Sequence, residues 1–222
     1  MTRASRPTLR RERALWQEGR IVVAGVDEVG RGPMAGPVVA AAVVFPVGAR
    51  PIPRLNDSKV LSAEQRAALD PVIRRVAVAI GIGAASVHEI DRLNIRRASI
   101  LAMRRALARL GVVPDHILVD GLPVPELDRA HEAIVDGDAR CQSIAAASVI
   151  AKIVRDRLME RLGLRHPRYG WEENKGYCTA DHLYALAAFG PTPHHRRSFE
   201  PVSQLRLALD GVPSETPPAA AY

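Results

Sequence analysis

IVVAGVDEVGRGPMAGPVVAAAVVF, residues 21–45, decides the fold class. IVVAGV at 21–26 is a short apolar run that fits a buried strand, and VVAAAVVF at 38–45 is a second one, closed by Pro46. Between them lie two adjacent acids, Asp27 and Glu28, and a turn rich in glycine and proline (Gly30, Gly32, Pro33, Gly36, Pro37). Residues 32–49 carry no charge, but three prolines break the run. A membrane helix needs about 20 cleaner residues, so the stretch reads as buried strand.

Working outward, AVAIGIGAASV at 77–87 gives a third strand, HILV at 116–119 a fourth and EAIV at 132–135 a fifth. Ser62 and Gln65 form a capping box that opens a helix to about Arg75. Asn94 caps a longer helix to Leu110, with Ile100, Met103, Leu107 and Leu110 on one face and Gly111 and Pro114 as the stop. Residues 146–162 repeat that pattern, and Thr179 caps a short helix ending at Gly190-Pro191. The order predicts an α/β fold. A first antiparallel meander is joined to strands that need helical crossovers, giving a mixed five-stranded sheet flanked by helices and followed by a helical C-terminal part.

Composition limits the function. The chain has 222 residues with 31 basic and 24 acidic side chains, a formal charge of +7. The excess is uneven. Residues 1–20 hold six Arg and two Glu, residues 21–139 balance fourteen against fourteen, and residues 140–168 hold seven basic and two acidic residues. Such asymmetry points to a polyanionic partner. Two cysteines make neither a disulfide framework nor a zinc ribbon. The N-terminus has charge without an apolar segment, so no signal peptide is expected and a cytoplasmic protein is. Residues 1–20 read as a mobile basic arm or frayed helix, and residues 211–222, rich in Pro and Ala, as a disordered tail.

Three apolar strands end in acids: Asp27-Glu28, Asp120, and the pair Asp136 and Asp138. Any one Asp-Gly pair reads as an ordinary turn. Together, carboxylates converging from strand ends repel one another, and such clusters are kept mainly where they hold a cation. Oxygen ligands without a His or Cys pattern favour Mg²⁺ or Mn²⁺ over Zn²⁺. Gly30, Arg31 and Gly32 follow the first acids, where bare backbone N–H groups and a guanidinium can meet phosphate or hydroxyl. His194-His195 lacks spaced partners for zinc, which leaves a structural or surface role. Arg196 and Arg197 are read as braces for acids or phosphates.

GVDEVGRGPMAGPV at 25–38 closely resembles the signature of the type 2 ribonucleases H, the ribonuclease HII family. LNDSKVLS at 55–62, HEIDRLNI at 88–95, ILVDG at 117–121, VDGDAR at 135–140, SIAAASVIAKIVRD at 143–156, YGWEENKGYCT at 169–179 and HHRRSF at 194–199 resemble further blocks of that family in the same order. The resemblance implies a ribonuclease H-like catalytic domain over 21–163 and a helical extension over 164–210. It implies an endonuclease cutting 5′ of ribonucleotides in RNA/DNA hybrids and at single ribonucleotides in duplex DNA, by two-metal catalysis that leaves 5′-phosphate and 3′-hydroxyl ends. Carried onto this chain, the ligands of the two Mn²⁺ or Mg²⁺ ions are Asp27, Glu28, Asp120 and Asp138. The choice falls on Asp138 over Asp136 because the family acid follows a glycine. Gly30, Arg31, Gly32 and Tyr177 are implied to read the ribose 2′-hydroxyl. Lys59, Lys152, Arg155 and Lys175 are candidate contacts to duplex phosphates, and a monomer is expected. The chain departs from the family pattern at Asn174 and Cys178. A resolvase- or integrase-like nuclease, a type 3 ribonuclease H and a non-catalytic nucleic-acid-binding protein are the competing readings.

Overall fold

A computed structural model describes residues 6–204. The elements run α1 (Arg10–Gln17), β1 (Val23–Val29), β2 (Val38–Val44), α2 (Ala63–Val76), β3 (Ala79–Ala85), α3 (Val87–Leu93), α4 (Ile95–Ala108), β4 (His116–Asp120), β5 (Glu132–Ile134), α5 (Gly137–Arg140), α6 (Gln142–Arg165), α7 (Trp171–Asn174) and α8 (Ala180–Phe189). The five strands form one sheet in the order β3-β2-β1-β4-β5. β1, β2 and β3 are antiparallel neighbours, and β1, β4 and β5 are parallel. This is the mixed sheet flanked by helices that the apolar runs predict.

Each face of the sheet has its own core. Val39, Ala41 and Val43 of β2 pack towards α2 and α6, with Ile73, Val149 and Ile150. Val38, Ala40, Ala42 and Val44 alternate to the other face and meet α4 through Ala98, Ala102 and Ala106. The first ten residues of α6 are all buried. Their small side chains let the helix lie directly on β1, where a Cβ on Gly25 would collide with the backbone of Ser143 and Ile144. That close contact fixes the α6 start against the strand carrying Asp27.

The basic N-terminal segment differs from the expected mobile arm. Within the described part of it, α1 is docked through Leu9 and Leu15, both buried, while Arg10 and Arg13 face solvent. α6 begins at Cys141 with no side-chain cap of its own. Glu12 supplies one from a distance: its carboxylate accepts from Ser143 N at 2.8 Å and Ser143 Oγ at 2.7 Å. Thr8 N donates to Arg140 O, Gln142 N donates to Thr8 O, and Arg11 pairs with Glu132. The sequence pattern also runs the third strand too far. Ser86 and Glu89 form a second capping box that starts α3. The expected tail at 211–222 lies outside the described residues.

Candidate active site

β1 and β4 are parallel neighbours, so their C-terminal ends lie side by side. β1 carries Asp27 and Glu28 within its last three residues, still paired with Ala41 and Ala40 of β2. β4 ends on Asp120. Asp120 Oδ1 accepts from Gly137 N at 2.7 Å, which pins the start of α5 and brings in Asp138. Asp27, Asp120 and Asp138 each offer an oxygen, and these oxygens lie within 4.8 Å of one another. Among the described residues this is the one group with metal-ligand geometry. Asp138 is buried and Asp136 is exposed, in a left-handed turn, so the geometry also separates these two acids.

Glu28 stands outside that triad. Neighbouring strand residues point to opposite faces, and Glu28 lines a cleft of about 410 Å³ with Asp120, Met103 and Leu122. Its Oε1 lies 3.4 Å from Arg31 Nη1. Asp27, Glu28 and Asp138 are raised above the ordinary carboxylate range. Burial pushes Asp27 well up, with Glu28 and Asp120 adding like charge. Burial lifts Glu28 to about 7, against the pull of Arg31. Burial and then Asp120 lift Asp138 to about 6. The Ser148 hydroxyl on α6, which the sequence reading passed over, opposes the rise at Asp27. The signal available for it was a polar residue inside an alanine-rich buried run.

Lys59 is exposed, and its Nζ lies 3.4 Å from Asp138 Oδ2. Ser58 beside it bonds Ser148 Oγ at 2.6 Å, which ties this loop to α6. On the other side of the acids, Gly30 holds a φ of 99°. Tyr177 is half exposed, and its ring edge comes within 3.8 Å of the position a Cβ on Gly32 would take. The glycine turn and the tyrosine thus share one wall beside the acids. Asn174 shapes the tyrosine loop: its Oδ1 accepts from Gly176 N and its Nδ2 donates to Tyr169 O.

The basic candidates divide. Lys152 Nζ donates to Asp156 at 2.7 Å, and Lys175 Nζ donates to Glu160 at 2.8 Å. Arg155 is fully buried and cannot contact duplex phosphate directly, which corrects that expectation. Its guanidinium is spent on the carbonyls of Ala35, Pro37 and Lys175. Arg196 is equally buried and bonds to no carboxylate, which corrects its reading as a brace for acids. It donates to the carbonyls of Gly30, Arg31 and Gly36. His195 is a buried structural residue: His182 is 3.1 Å from its Nε2, Thr192 N donates to its Nδ1, and Trp171 and Tyr169 pack around it.

The family profile described as Ribonuclease HII matches residues 24–202. The chain belongs to the ribonuclease HII family. It is 52% identical over 207 residues to the ribonuclease HII of Synechococcus sp. (strain JA-3-3Ab), covering 92% of this chain and 93% of the relative. It is 56% identical over 195 residues to that of Granulibacter bethesdensis, covering 86% and 89%. The fold is similar to the crystal structure of ribonuclease H2 from Pyrococcus horikoshii OT3, with a TM-score of 0.71 and 27% identity over 86% of this chain and 100% of that one. As a ribonuclease HII, the chain is a metal-dependent endoribonuclease of the ribonuclease H class. No helix among the described residues is long and apolar enough to cross a membrane.

Proposed function

We propose that this ribonuclease HII hydrolyses the phosphodiester 5′ of a ribonucleotide, both in RNA/DNA hybrids and at a single ribonucleotide within duplex DNA, leaving 5′-phosphate and 3′-hydroxyl ends. The observation that carries the reading is the juxtaposition of Asp27, Asp120 and Asp138 with the Gly30–Gly32 turn and Tyr177. The donor set fits hard divalent cations. It consists of crowded carboxylates whose ionised forms repel, with Lys59 beside Asp138 and Arg31 beside Glu28. Two Mn²⁺ or Mg²⁺ ions would be held by these three acids with Glu28 at the cleft side. Metal ions bound there would supply an activated water and neutralise charge on the leaving oxygen.

The chain's own groups do the rest. Asp120 accepts from Gly137 N and so holds the turn that carries Asp138 against the end of β4. The turn at Gly30–Gly32 and the Tyr177 ring meet the ribose, where the 2′-hydroxyl is what separates RNA from DNA at one site. Lys59, Lys152 and Lys175 add positive charge along the duplex. The reading takes the protein as a monomer acting in the cytoplasm.

A cleavage assay tests the proposal. It compares an all-DNA duplex, a duplex with one ribonucleotide and an RNA/DNA hybrid, each with Mn²⁺ and with chelator. Cleavage of the two ribonucleotide-containing duplexes, only with metal, is expected. Tyr177→Ala should impair the single-ribonucleotide duplex most. Equal cleavage of all-DNA duplex would overturn the reading.

A further inference from the structure

Two guanidiniums, Arg155 and Arg196, are buried to 0% exposure behind the glycine turn. Burying an arginine normally requires a carboxylate partner, because an uncompensated charge in a low dielectric is costly. Here neither guanidinium hydrogen-bonds to a carboxylate among the described residues. The donors are satisfied by six backbone carbonyls instead. Arg196 takes those of Gly30, Arg31 and Gly36, and Arg155 takes those of Ala35, Pro37 and Lys175. Carbonyl dipoles satisfy hydrogen bonds but leave the net charge in place. Asp91 and Asp156 are the acids whose charge reaches the pair. Asp91 is occupied by Arg197 N and Ser198, and Asp156 by Lys152 and Arg66. Burial, reinforced by the neighbouring Arg155 charge, pushes Arg196 down to about 9, as expected for a cation short of a counter-charge.

The carbonyl clamp also dictates which way the turn faces. In a trans peptide the C=O of one residue and the N–H of the next point in opposite directions. The one cis bond among the described residues is Glu200-Pro201. Arg196 draws the carbonyls of Gly30 and Arg31 inward at 2.6 and 2.9 Å. The N–H groups of Arg31 and Gly32 must therefore face outward, and both residues are exposed. Two outward N–H groups in succession form an anion-binding concavity.

We propose that Arg196, with Arg155 behind it, is a positioning residue that turns the Arg31 and Gly32 N–H groups towards a phosphodiester of the substrate, and that this phosphate is the missing counter-charge of the buried pair. The proposal rests on the reading that Gly30–Gly32 is a substrate-binding turn. Arg196 touches no substrate itself and acts through the backbone. It also assigns Arg155 a role in phosphate recognition without contact.

The test is a double-mutant cycle between protein charge and phosphate charge. Full-length protein binds a labelled duplex with one ribonucleotide, in chelator, and the dissociation constant is read by fluorescence anisotropy. Each phosphate flanking the ribonucleotide is replaced in turn by a neutral methylphosphonate. In the unsubstituted protein one of these replacements should weaken binding by about 10-fold, the scale of one charge-assisted contact. In Arg196→Gln the same replacement should cost less than about 2-fold, because the charge and the N–H orientation are already lost. A merely structural role for Arg196 gives additive losses, with the full penalty retained in the variant, and overturns the proposal alone. No penalty at any flanking phosphate in the unsubstituted protein overturns both the proposal and the reading of the turn. If Arg196→Gln does not fold, Arg196→Lys is used. It keeps the charge but lacks the fork that holds the carbonyls, so the penalty should fall by at least about 3-fold, and an unchanged penalty again refutes the proposal.

Discussion

Asp27 and Glu28 are neighbours in β1, yet they face different environments, and that division sets their roles. Asp27 is buried against α6 with Asp120 and Asp138, and Glu28 sits at the cleft with Arg31. Asp27→Asn and Asp120→Asn should each reduce turnover by at least about 1,000-fold while circular dichroism stays unchanged. The stability effect has a definite sign. Asp27 has a folded pKa above its unfolded value, so its favourable contribution is present at low pH and is lost as pH rises through the folded value. Without metal at pH 8, Asp27→Asn should therefore be more stable than the parent by at least about 1 kcal/mol, and no such gain should appear near pH 3, below the ordinary carboxyl value, where folded and unfolded forms both hold the proton. Denaturant titrations at both pH values check this.

The same shifts govern metal uptake. Glu28 near 7 and Asp138 near 6 hold protons that a cation must displace. Apparent Mn²⁺ affinity should rise as pH increases from about 5.5 to 8, and binding near pH 6.5 should release protons. Calorimetry in two buffers of different ionisation enthalpy reads the release directly, and a buffer-independent heat would contradict it.

Among the elements, α1 and α6 form one structural unit through Glu12. Glu12→Ala would leave Ser143 N and Oγ without their acceptor at a helix start. It should destabilise the protein by about 1–3 kcal/mol, and deleting residues 1–20 should do so by more, since Leu9 and Leu15 also go. Thermal melts of both variants measure this. Local signals in the sequence reach some of these elements and not others. Strands, capped helices and the acids at strand ends were legible, because period, cap chemistry and residue type are local signals. Glu12 was not legible, because an acid between arginines looks like part of a charged arm. Arg155 was not, because the apolar stripe over 146–162 marks the interior of α6 by its hydrophobic residues and gives no sign that a charged residue is interior too. Its burial comes from the turn at 30–37 and the loop at 175, which lie far away in sequence.

At the scale of the whole molecule, the +7 charge resolves into separate functions. The neutral balance of residues 21–139 hides the carboxylate cluster. Part of the excess in residues 140–168 is internal, since Arg155 faces the glycine turn. Of the proposed duplex contacts, Lys59 and Arg31 stay largely exposed beside Asp138 and Glu28, whereas Lys152 and Lys175 are mostly covered and closely paired to Asp156 and Glu160. Binding should still weaken steeply with salt, with a log–log slope steeper than about −3, corresponding to roughly four phosphates neutralised. Anisotropy between 50 and 200 mM salt, about the range over which such slopes are read, gives that number.

Product analysis on a duplex with one embedded ribonucleotide tests the central claim most directly. With Mn²⁺, the account predicts a single cut on the 5′ side of the ribonucleotide, leaving 3′-hydroxyl and 5′-phosphate ends, and no cut with chelator. A cut on the 3′ side with a 2′,3′-cyclic phosphate, or cleavage that persists in chelator, would contradict it.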